Sequence, residues 1–136
     1  MQYEQDYIIR LIKQVIHALI GVLLNKRTTL EHEMLINLQQ NSGDDYLQRL
    51  TVLADQGRIC EAENMLLDAL EGGADETCRA ALLFYEHINE FDDDFLEEHN
   101  FSREEICQGV LDIADRMKMY PVAASILDEE MLDDMN

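Results

Sequence analysis

The sequence predicts an all-α fold of stacked antiparallel helical hairpins, tetratricopeptide-like, with about six to eight helices. Three observations predict it. Apolar residues recur at three- and four-residue spacing along most of the chain. No useful stretch alternates polar and apolar residues as a strand would. One Pro and six Gly in 136 residues leave too little turn material for a barrel or sandwich of many short strands. A chain of this length forms one domain, 1–136.

The first helix covers residues 7–24, YIIRLIKQVIHALIGVLL, with 13 apolar side chains among 18. The exceptions are Arg10, Lys13, Gln14, His17 and Gly21, which form one narrow stripe at 3.6 residues per turn. A helix this apolar must be covered on several sides. Lys13 and His17 interrupt it as a transmembrane span. Thr28 or Thr29 caps a second helix near 30–40, with Leu30, Met34, Leu35 and Leu38 on one face. Residues 39–43 form a loop.

A third helix starts at Asp44 and ends at Gly57, which suits a left-handed C-cap. A fourth runs from Ile59 to the Gly72-Gly73 pair, and a fifth from Asp75 or Glu76 through Ile88. Residues 90–100 are acidic and read equally as a short helix or a loop. Ser102-Arg103-Glu104-Glu105 is a capping box, with Phe101 and Ile106 as its hydrophobic staple. The sixth helix then runs to about Met119, where Tyr120-Pro121 ends it. Pro121 opens a last helix through Leu127, and 128–136 is an acidic tail.

Charge divides the chain. Residues 1–40 are neutral, and residues 41–136 carry the whole net charge of −19. A neutral apolar N-terminal part (1–40) is thus joined to an acidic helical-hairpin body (44–119). That balance excludes nucleic acid and disfavours anionic membrane, since both would repel it. A basic protein partner would be steered towards it. Gln2, Glu4, Gln5 and Asp6 are not the basic start of a signal peptide, so none is expected. Cys60, Cys78 and Cys107 have no C-x-x-C spacing and are expected to fill small apolar sites in a reducing cytoplasm.

The stretch YLQRLTVLADQGRICEAENMLLDAL (46–70) is similar to a tetratricopeptide repeat at Leu50, Leu53, Gly57, Ala62, Leu66 and Ala69. Ala62 and Ala69 would let two antiparallel helices approach closely, and Gly57 would turn the chain between them. Tyr46 stands where that repeat usually has Trp, and Ala74 where it usually has Pro. The alternative is an ordinary αα-hairpin in a bundle.

Candidate chemistry is sparse. His17, His32, His87 and His99 lie in no metal motif; His87 and Glu90 share a helix face, but such pairs are mostly solvated surface charges. Asp92-Asp93-Asp94 with Glu97 and Glu98 could attract calcium or magnesium. An EF-hand loop counted from Asp93 nevertheless puts Glu98 where glycine is required. There is no G-x-S-x-G and no glycine-rich phosphate loop. No enzyme and no cofactor are expected.

Two further segments, QDYIIRLIKQ (5–14) and FYEHINEFDDDFLEEHNFSREEICQGVLDIADRM (84–117), together with the hairpin, resemble a family of short helical proteins of unknown function from low-GC Gram-positive bacteria. The resemblance implies a bacterial, cytosolic, all-helical protein and no assigned active site. The expected function is therefore non-catalytic protein–protein contact. The alternatives are membrane-surface association through the first helix, and a small-ligand binder or enzyme with an inter-helix pocket. Ile9, Ile16 and Leu23 lie at seven-residue spacing on one side of that helix. They are expected to contribute to a symmetric homodimer.

Overall fold

The computed structural model describes residues 2–25, 44–71 and 75–135, with side chains described over 7–23, 46–71 and 77–127. The expected helix at 30–40, with Leu30, Met34, Leu35 and Leu38, and the Gly72-Gly73 turn lie outside the described residues. Seven α-helices and no strand occur among the described residues: α1 (Gln2–Asn25), α2 (Asp44–Asp55), α3 (Ile59–Leu70), α4 (Asp75–Asn89), α5 (Asp93–Glu98), α6 (Arg103–Arg116) and α7 (Tyr120–Met135).

Contacts α1–α4, α4–α6, α6–α7 and α7–α1 close a four-helix ring, and α1 also touches α6 across it. The α2–α3 hairpin docks on α4, so α4 has the ring on one side and the hairpin on the other. This arrangement accounts for the composition of α1. Packed against three helices, it buries Leu11, Ile12, Val15, Ile16, Leu19 and Leu23. Each such side chain contributes on the order of 1.5–3 kcal/mol when removed from water. Arg10, Lys13, Gln14 and His17 remain exposed, as the stripe predicts.

Ile16 is 0% exposed and Leu23 4% exposed, and Ile9 is half-buried. The chain's own α4, α6 and α7 pack on α1. No described helix is long and apolar enough to cross a membrane.

Three turns share one geometry. Gly57, Asn100 and Lys118 all have positive φ, at 88°, 61° and 62°. Each follows a helix and donates its N–H to the carbonyl three residues back, while the next residue bonds five back. The longer bonds are Arg58 N–H to Leu53 O, Phe101 N–H to Leu96 O and Met119 N–H to Ala114 O, at 2.9, 2.9 and 2.7 Å. Gly57 is the cap the sequence predicts. Lys118 ends α6 at Arg116, three residues before the expected Met119, because the left-handed cap forms ahead of Pro121.

Other local signals fall where expected or resolve an alternative. Ser102 Oγ accepts the Glu105 N–H at 3.2 Å and donates to the Glu105 carboxylate, with Phe101 and Ile106 both buried. Residues 90–100 contain the short helix α5, capped by Asp92 Oδ1, which accepts the Phe95 N–H at 2.8 Å. Pro121 lies in the first turn of α7. The helix does not stop at Leu127 but continues to Met135, since no Gly or Pro interrupts 128–135. The expected acidic tail is therefore helical over most of its length.

Candidate interaction surface

The α2–α3 hairpin is closed at both ends by side chains. At its open end Tyr46 Oη donates to Met65 O at 3.0 Å. At its turn the His99 ring covers Gly57 so closely that a β-carbon there would lie under 3.0 Å from the imidazole. His99 ends a row of rings, His87, Phe91, Phe95 and His99, with successive centroids 5.5, 4.7 and 4.5 Å apart. At the head of the row, His87 Nε2 meets Asp55 Oδ1 at 2.7 Å, tying the end of α2 to α4.

A second polar tie joins α3 to α4. Buried Tyr85 donates its hydroxyl to Glu63 Oε2 at 2.8 Å. Burial raises the Glu63 pKa above the usual carboxylate range; the Tyr85 hydrogen bond opposes this, while Glu105 and Asp112 add to it. Burial, and then the Glu63 carboxylate, hold the Tyr85 phenol above its ordinary value. Tyr85 reaches Glu63 by crossing Gly109 of α6, where only a glycine leaves room for its ring.

The residues picked out for hairpin packing differ in burial. Leu50, Ala62 and Leu66 are fully buried, and Leu53 and Ala69 half-buried. What remains on the outside is a groove of about 590 Å³ along α2, closed by Met65 of α3. Leu53 and Met65 supply apolar walls, and Val52 stands 45% exposed beside them. Gln48, Arg49 and Gln56 form a polar rim. The volume falls within the range of ligand and side-chain pockets.

A second cleft, of about 550 Å³, lies between α1 and α2 with α4 as its floor. Leu47 and Leu83 are its apolar walls. Across it His17 Nε2 meets Glu86 Oε2, and Lys13 Nζ stands 3.7 Å from Glu90 Oε1. His87 thus pairs with Asp55 and not with Glu90, which lies just past the end of α4.

Two acids of the stretch 92–98 have structural roles. Asp92 caps α5, and Asp93 Oδ1 accepts from Arg103 Nη2 at 2.9 Å. Among the described residues no three His, Cys, Asp or Glu side chains converge as metal ligands. Cys78 and Cys107 are buried, but Cys60 is exposed, its Sγ 3.7 Å from Asn100 O. That corrects the expectation of an apolar site for Cys60: it lies on the outward side of α3, opposite the buried Ala62 stripe. Desolvation, with Glu105 and Glu63 nearby, pushes its thiol pKa up, away from nucleophilic chemistry. His32 lies outside the described residues.

Arg103 is the residue that sequence reasoning missed. Only 6% exposed, it donates from Nη1 to Asn89 O and Oδ1, and from Nη2 to Phe91 O and Asp93 Oδ1, all within 3.0 Å. Asn89 Nδ2 in turn donates to Ile9 O at 3.0 Å. Arg103 thereby closes the carbonyl end of α4 and fixes the start of α6, while Asn89 ties that corner to α1.

Residues 2–118 match a family of unknown function (DUF6483), and the chain belongs to it. No curated protein and no solved structure matches the chain.

Proposed function

We propose that this member of the family is a non-catalytic, cytoplasmic interaction module that holds a protein segment against its tetratricopeptide-like α2–α3 hairpin. The observation that supports this most directly is the groove along α2. It offers an apolar wall at Leu53 and Met65, an exposed Val52 and a hydrogen-bonding rim at Gln48 and Gln56. An anchor side chain in such a pocket, ringed by polar contacts, is the usual energetic centre of a protein interface. Helical hairpins commonly present this kind of groove to a partner segment.

Charge favours a basic partner. Residues 44–71 hold seven acidic and two basic side chains, within a chain of net charge −19. Attraction of that kind raises the rate of encounter more than the final affinity. The partner would therefore place an apolar anchor at Val52 and Met65, and basic residues around it.

The test is affinity capture from the native host with the parent, Val52→Asp and Tyr120→Asp. Val52 and Tyr120 are equally exposed, so neither change disturbs the core. A partner retained by Tyr120→Asp and lost by Val52→Asp supports the reading. Identical captures by all three proteins would contradict it.

A further inference from the structure

We draw no further inference here: the strongest candidate, the cavity of about 230 Å³ at the start of α6 beside buried Arg103, carries nothing, because Arg103 Nε, though without a hydrogen-bond partner, is closed to solvent and so to a ligand, and Asp93, Glu97 and Glu104 in the walls repel the anion that a guanidinium and a helix N-terminus would select.

Discussion

Tyr85 of α4 lies directly over Gly109 of α6, close enough that a β-carbon at 109 would stand under 3.0 Å from its ring. Glycine inside a helix ordinarily costs about 1 kcal/mol relative to alanine. Here the rule reverses. Gly109→Ala should lower stability by roughly 1–3 kcal/mol, because the buried ring cannot move without leaving Glu63. Urea unfolding checks this, and a gain in stability would mean that Tyr85 packs elsewhere.

Gly57→Ala should also destabilise, by about 1 kcal/mol or more. Its φ of 88° disfavours any side chain, and His99 fills the space a β-carbon would need. Combining the change with His99→Ala removes the clash but not the backbone strain. The double variant should therefore recover part of the loss in thermal unfolding, and not all of it.

Much of this was legible in the sequence because it is local. Ser102 as a cap, Gly57 as a left-handed turn and Pro121 in a first turn each depend on a few adjacent residues. The cover of α1 was not legible. Thirteen apolar residues in 18 demand partners but do not say which. Here α4, α6 and α7 supply the cover. The four-residue spacing of His87, Phe91, Phe95 and His99 is visible in the sequence, yet the chain breaks helix between Asn89 and Asp93, so periodicity alone could not align the rings. The burial of Arg103 was hidden by its place in a capping box, where a charged side chain ordinarily faces solvent.

Arg103→Met should cost about 2–4 kcal/mol. It keeps much of the buried stem but strands Asn89 O, Asn89 Oδ1 and Phe91 O without their donor. Arg103→Met in an Asn89→Leu background should cost less, since the Asn89 Oδ1 acceptor is then already gone, while the backbone carbonyls of residues 89 and 91 are stranded in both backgrounds. Denaturant midpoints of the four proteins in this cycle give the coupling directly.

Glu63 supplies a pH dependence with a definite sign. Its pKa is raised in the folded protein, so folding favours the protonated form. That contribution is fully present below the ordinary carboxylate value and is lost as pH rises through the raised one. Glu63→Gln keeps an acceptor for Tyr85 and never ionises. It should be more stable than the parent at pH 7, with the difference shrinking as pH falls towards 4. Unfolding midpoints across that range are the check, and a gap that widens on acidification would reverse the assignment.

The interaction reading stands or falls on which face of the molecule meets a partner. A photo-crosslinking amino acid placed at Val52, and separately at Tyr120, measures this in the native host. Both positions are 45% exposed, one beside the α2 groove and the other at the start of α7, so accessibility alone cannot separate them. A discrete crosslinked protein is expected from position 52 and none from position 120. A partner captured from 120 with nothing from 52 would contradict it.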